Sequence, residues 1–263
     1  MKEFLIKNIE IKTIEANGLY GEFEGITHKK ILTRLSVVQA IKGSYDIRLD
    51  NGQTFSTGEG GVFIAPSHAL QEITHHNGQN GAMQAHWVFI DAVINEHFRF
   101  DEVFSFPILL DKKYNAKIYR IIREIRYPKN YFKKTIEGYR LLEILTNEGK
   151  TKATKISTKS KIEKFIEDHY HENIKAQDIA THLSCSVSQI FLYTKKYYGL
   201  SPANYINCIR LQQAEIQLLY SNKSVTEIAF EVGFSDSAYF SKLFKKYYGY
   251  SPLQHRLKYA PNH

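Results

Sequence analysis

Lys245-Lys246-Tyr247-Tyr248-Gly249-Tyr250-Ser251-Pro252 repeats, with seven of eight residues identical, the stretch Lys195-Lys196-Tyr197-Tyr198-Gly199-Leu200-Ser201-Pro202 found fifty positions earlier. A second matched pair, Asp178-Ile179-Ala180 and Glu227-Ile228-Ala229, is offset by 49. The one-residue difference places a single insertion in the turn between the matched segments. A segment that occurs twice folds alike twice, so one copy can be read through the other.

In the second copy Ser224 is a good N-cap for a helix with Val225, Ile228, Ala229 and Val232 at three- and four-residue steps. Gly233 stops that helix, since glycine enters the left-handed conformation a sharp break requires. A second helix begins near Ser237, with Tyr239, Phe240, Leu243, Phe244 and Tyr247 as its buried stripe, and ends at Gly249 and Pro252. The first copy follows with Ile179, Ala180 and Leu183, the turn Ser184-Cys185-Ser186, and a helix to Tyr198. Helices joined by so short a turn cross steeply, the helix-turn-helix geometry that offers its second helix to a DNA major groove. Between the copies, Pro202 opens a run with Tyr205, Ile206, Ile209, Leu211, Ala214, Leu218 and Leu219 that closes near Ser221-Asn222. A helix of about 19 residues is about 28 Å long. It would hold two recognition helices at nearly the ~34 Å repeat of the major groove.

The run Ile228-Ala229, Gly233-Phe234-Ser235-Asp236, Tyr239-Phe240-Ser241, Phe244-Lys245-Lys246, Gly249, Ser251-Pro252 and Arg256 resembles the signature of the AraC/XylS family of bacterial transcription regulators, over roughly Lys159 to Arg256. That resemblance implies two helix-turn-helix units joined by one long helix. It also implies double-stranded DNA as partner, a homodimer on paired sites, RNA polymerase as the partner of an activator, and no enzymatic activity.

Charge agrees with a polyanionic partner. Residues 151–263 hold 15 Lys and Arg against 9 Asp and Glu, net +6, while residues 1–150 hold 20 against 18, net +2. Cys185 and Cys208 are the only cysteines, which excludes a disulfide framework. The start Met1-Lys2-Glu3-Phe4-Leu5-Ile6-Lys7 is too charged for a signal sequence and no apolar run approaches a membrane span, so a cytoplasmic protein is expected.

Residues 1 to about 106 read as short strands with glycine corners: Ile31 to Ile41, Tyr45 to Leu49, the turn Asp50-Asn51-Gly52-Gln53, the turn Gly58-Glu59-Gly60-Gly61, Val62 to Ala65 before Pro66, and Met83 to Ile90 after His75-His76-Asn77-Gly78. The pattern predicts a small barrel, or a sandwich closed into one. Through Gly58, Gly60, Pro66, His68 and Trp87 it is similar to the cupin-like sensor domain that precedes the DNA-binding half in many AraC-type proteins. From about 111 to 148 the period lengthens. Ile118, Ile121, Ile122 and Ile125 form one apolar stripe and Ile136, Tyr139, Leu142 and Leu145 another, separated by Pro128. In similar proteins two such helices are the subunit interface; covering the barrel's open face is the alternative. Glu148 to Lys155 loses periodicity as a linker does. The expected fold is therefore α+β in two domains: a cupin-like barrel and two helices over 1–151, and an all-α DNA-binding domain over 152–263.

A barrel of this size holds one small ligand. Along Met83–Ile90, Met83, Ala85, Trp87 and Phe89 face one way and Gln84, His86 and Val88 the other. Trp87, Arg34 and His86 are the candidate ligand-binding residues: an indole stacks on a sugar or similar ring, and a guanidinium holds a hydroxyl or carboxylate. A front half without ligand, serving only oligomerisation, is the alternative. A metal-cupin enzyme is a distant third, because His28, His68, His75, His76 and His86 include no His-x-His pair. No cofactor is expected.

With packing residues removed, Ser237, Ala238, Ser241 and Lys242 match the base-facing positions of the family pattern in the second unit, and Ser188, Gln189, Phe191 and Leu192 in the first. Gln189 could pair with adenine, Leu192 meet a thymine methyl and Lys242 reach guanine. The first copy departs from the pattern, with Thr194 where a buried phenylalanine is usual and with Phe191 better explained by packing. Lys195, Lys196, Lys245, Lys246 and Arg256 are the phosphate candidates. Arg210 also matches a family position, with a structural role expected.

Overall fold

The computed structural model describes residues 6–50, 52–96, 98–152 and 158–259. The chain divides into two compact units, Met1–Ile156 and Ser157–His263. The linker's end and Asn51 of the Asp50–Gln53 turn lie outside the described residues.

The first unit is two antiparallel sheets. One runs β1 (Ile9–Gly21), β8 (Met83–Ile94), β3 (Leu35–Lys42), β6 (Val62–Ala65), with β9 (Phe98–Arg99) also on β8. The other runs β2 (Thr27–Ile31), β7 (Leu70–His76), β4 (Ser44–Leu49), β5 (Thr54–Ser56). The sheets do not join at either side, so the expected barrel is instead an open sandwich. Gly43 turns the chain from β3 into the opposite sheet at a φ of 78°, and a Cβ there would lie 2.2 Å from the His76 carbonyl oxygen. The outer edge of β6 is covered by plain backbone, Ile64 N donating to Ile108 O at 2.8 Å and Leu110 N to Val62 O at 3.0 Å.

Strands β1, β2, β5 and β7 escape the sequence pattern. The alternation of β1 is interrupted by a register shift between Ile11 and Thr13. The end of β7 is the His75-His76 pair taken for part of a turn; His75 faces inward and is buried, His76 outward.

Between the sheets lie Val38, Tyr45, Ile47, Phe63, Ile73 and Met83. The other face of the larger sheet, with Val37, Val88 and Ile90, packs on α2 (Asn115–Arg126) and α3 (Tyr131–Glu148). These follow a short α1 (Phe100–Val103) and β10 (Phe104–Ser105), which pairs with β11 (Lys150–Thr151). In α2 the four isoleucines are buried as their spacing requires. In α3 the buried set is Gly138, Leu141, Leu142, Ile144 and Leu145, while Ile136 is 48% and Tyr139 41% exposed. Gly138 decides this rotation, because a Cβ there would come within 2.9 Å of both Ile11 and Ile14 of β1. A hydrophobicity count overlooks glycine, the residue of closest approach.

The second unit is helical: α4 (Thr158–His169), α5 (Ala176–His182), α6 (Val187–Tyr198), α7 (Pro202–Tyr220), α8 (Val225–Glu231), α9 (Ser237–Tyr248) and α10 (Pro252–Tyr259). Helix α7 has Ser201 as N-cap and Pro202 in its first turn. Its buried side chains serve both copies. Tyr205 stacks on Tyr198 of α6 with ring centroids 3.8 Å apart, and Leu211, Ala214 and Leu218 pack with Ile228, Phe240 and Phe244.

Candidate nucleic-acid interface

Helices α6 and α9 are built alike. Each has 12 residues, a side-chain N-cap (Ser186, Asp236) and a left-handed glycine at its end, Gly199 at φ 68° and Gly249 at 83°. Their inward stripes align fifty residues apart: Ile190, Thr194 and Tyr198 against Phe240, Phe244 and Tyr248. Thr194 is fully buried, so it occupies the core position held by Phe244 in the second copy. The smaller side chain leaves α6 in register.

With those stripes inward, Ser188, Gln189, Phe191, Leu192, Lys195 and Lys196 are exposed on α6, and Ala238, Tyr239, Lys242, Lys245 and Lys246 on α9; Ser237 and Ser241 are half-buried. Phe191 is 50% and Leu192 64% exposed, so the packing explanation of Phe191 is replaced by a surface position. Tyr239, expected in the buried stripe, is 50% exposed and leans on Phe234 at 6.1 Å. It joins the candidate surface, a position that spacing misses because an aromatic at a helical step counts as core. Gln189 is partly committed: its Oε1 accepts from Ser186 N at 2.9 Å in a capping box, leaving the amide N–H groups to face outward.

The five phosphate candidates separate into two groups. The four lysines are exposed; Lys195 donates to Gly199 O at 3.2 Å from the end of its own helix. Arg256 has another task. Its Nε donates to Leu218 O at 3.0 Å and its terminal nitrogen to Lys223 O at 2.6 Å, closing the end of α7. Arg210 is its counterpart, donating to Tyr170 O and Glu172 O, each at 2.8 Å, at the end of α4. Arg210 also lies 5.7 Å from the Phe234 ring centroid. It thereby binds the turn of the second copy to the first, and burial lowers its pKa from the ordinary arginine value.

A family model for a helix-turn-helix domain matches residues 179–258. The HTH-type transcriptional activator RhaS of Escherichia fergusonii is 39% identical over 92 residues, 35% of this chain and 33% of that protein. Over these residues the chain is similar to helix-turn-helix domains of the AraC/XylS type. RhaS of Klebsiella pneumoniae gives the same 39% over 88 residues. The match spans about a third of the length of these curated relatives. ToxT from Vibrio cholerae aligns over 95% of this chain and all of its own, with a TM-score of 0.71 at 12% identity, so the fold is shared.

The ligand candidates of the first unit do not converge. Trp87 packs against the inter-sheet cluster. His86 faces the opposite way, stacked on Tyr119 of α2 at 5.9 Å and 16° between ring planes, and is withdrawn from any site Trp87 lines. Arg34 is held by Glu15 at 2.8 Å and lies 5.1 Å from the Phe89 centroid. A crevice lined by Arg34, Ser67, Arg99 and Asp101 measures about 10 Å³, water-sized rather than sugar-sized. A residue that the sequence pattern does not single out is Gln71, wholly buried on β7 with neither amide atom hydrogen-bonded. Among the described residues no three His, Cys, Asp or Glu side chains are grouped as a metal site needs, and no helix is long and apolar enough to cross a membrane.

Proposed function

We propose that the chain is a DNA-binding transcription regulator, an activator like the RhaS proteins it resembles, in which α6 and α9 enter neighbouring major-groove turns of one duplex. The observation that carries this is the pair of equal helices, each with a side-chain N-cap, a left-handed glycine at its end and an exposed stripe at the same positions, joined by the one continuous helix α7. Base contacts fall to Ser188, Gln189, Leu192, Ser237, Ala238, Ser241 and Lys242, with Tyr239 added. Phosphate contacts fall to Lys195, Lys196, Lys245 and Lys246.

The reading extends to the sandwich. A solved structure of wild-type ToxT from Vibrio cholerae has an unsaturated fatty acid bound. For this chain the effector is a small amphipathic molecule between the sheets, with Trp87 as apolar wall and the unpaired Gln71 amide as polar anchor. A buried amide without partners costs about 1–3 kcal/mol, which a ligand's hydroxyl or carboxylate would recover. The exposed stripe Phe132, Ile136 and Tyr139 of α3, at steps of four and three, supports the homodimer in which such a regulator acts on paired sites with RNA polymerase.

Binding titrations test the DNA assignment. Lys242→Ala should narrow the gap between specific and scrambled duplexes by about 1–3 kcal/mol, whereas Lys246→Ala should weaken both alike and lower the salt slope by about 1. Equal losses on both duplexes for both variants would refute it.

A further inference from the structure

The front unit's charge is unevenly placed. Residues 1–111 hold 9 Lys and Arg against 14 Asp and Glu, net −5; residues 112–150 hold 11 against 4, net +7. The segment that holds α2 and α3 is thus as basic as the whole DNA-binding half. On α2 the isoleucine stripe is buried, and Lys117, Arg120 and Arg123 recur at steps of three on the exposed face. Lys129 stands exposed in the following turn and Lys134 half-buried in the first turn of α3. Four other cations here are compensated: Lys113 by Glu148 at 3.0 Å, Lys133 by Glu137 at 2.9 Å, Arg140 by Glu137, and Arg123 by Glu124 at 3.6 Å. Among the described residues Lys117, Arg120, Lys129 and Lys134 have no carboxylate at ion-pair distance.

We propose that this outward face of α2 and its turn into α3 is a second DNA-contact surface, which takes the phosphodiester backbone flanking the site bound by α6 and α9. It rests on the DNA-binding reading above. Lys117, Arg120 and Arg123 follow one another at about 4.5 Å along the helix, close to the ~3.4 Å spacing of phosphates along one strand of a duplex. The same chain delivers this partner. Carried on the same chain as α6 and α9, the patch meets bound DNA at an effective concentration on the order of millimolar. A second copy is disfavoured as occupant, because a two-fold contact would set like charges face to face. Tyr127 and Tyr131, each at least 66% exposed beside the cations, suit contact with deoxyribose.

The test compares the full-length chain with the quadruple variant Lys117→Gln, Arg120→Gln, Lys129→Gln, Lys134→Gln. Two duplexes carry the same selected site, one trimmed to its edges and one with about 20 random base pairs on each side. The wild-type chain should bind the flanked duplex about tenfold more tightly than the trimmed one, with a steeper salt dependence. The variant should match wild type on the trimmed duplex and show no flank gain. An equal flank gain in both proteins, or none in wild type, overturns the proposal. So does a variant that differs from wild type only in binding phosphatidylglycerol vesicles, which assigns the patch to a membrane, or only in sedimentation mass, which assigns it to self-association. If wild type binds neither duplex, the DNA-binding reading itself has failed and takes this surface with it.

Discussion

Gly233→Val should cost the helical unit more than about 3 kcal/mol, a large part of the ~5–15 kcal/mol that holds a domain together. Two effects act together. Gly233 sits at a φ of 93°, which a β-branched residue scarcely adopts. A Cβ there would also lie 2.7 Å from Tyr170 O and 2.9 Å from His171 O. Both are backbone atoms, and Tyr170 O is already fixed by Arg210, so neither can swing aside. The loss should appear in urea unfolding followed by helical circular dichroism, and specific DNA affinity should fall with it. Trp87, the only tryptophan, reports separately on the sandwich and should show an unchanged midpoint. Ser184 is the internal control. It holds the equivalent turn at a φ of 52°, without glycine's freedom. Ser184→Gly should therefore stabilise by up to about 1 kcal/mol. A Gly233→Val chain with the wild-type helical midpoint would contradict the account of the turn.

The sandwich should lose stability in acid through His28. Burial first, then the charges of Lys30 and His75, push its pKa down from 6.5 to about 3. His75 is lowered too, mainly by burial, and its ring lies 4.9 Å from that of His28 and 4.9 Å from that of Tyr45. The folded state therefore keeps His28 neutral while the unfolded chain protonates near 6.5. Stability is complete above pH 6.5, and falls as pH drops towards 3 because the unfolded state takes up the proton first. Each tenfold rise in proton activity across that window removes about 1.4 kcal/mol, so at pH 4.5 about 2–3 kcal/mol should be gone. His76 works in the opposite sense: Asp46 at 2.9 Å, then Glu24, raise its pKa and favour the fold below 6.5. It is more exposed than His75, so burial of the inner pair should prevail. Urea midpoints read from Trp87 fluorescence at pH 7.5 and 4.5 should separate widely in wild type and much less in His28→Phe. Equal acid losses in both would remove His28 from the explanation.

The helical half was legible because its signals are local and doubled. Ser224, Gly233, Gly249 and Pro252 are caps and stops whose meaning is fixed within one turn of chain, and their counterparts allow each to be checked. The sandwich was less so. Strand β1 is disguised by a bulge, β7 by two histidines, and sheet membership depends on Gly43 approaching the His76 carbonyl, a contact between residues 33 apart in sequence. Burial failed where one face has two possible uses. Tyr239, Ile136 and Tyr139 carry the right period for a core but stand on the outer surface. Arg256 has the charge for a phosphate, yet two carbonyls claim it. Alternation along β8 was read correctly, and it is what separates His86 from Trp87.

Everything proposed about regulation depends on α6 and α9 reading DNA together. Selection of duplexes bound by the full-length protein from a random pool measures this most directly. The enriched sequences should share two short conserved blocks centred about 10–10.5 base pairs apart, one per helix, and Leu192→Asp should erase one block while Lys242→Asp erases the other. Enrichment of a single block, or loss of both blocks together in each variant, would show that the two helices are not independent readers of one duplex.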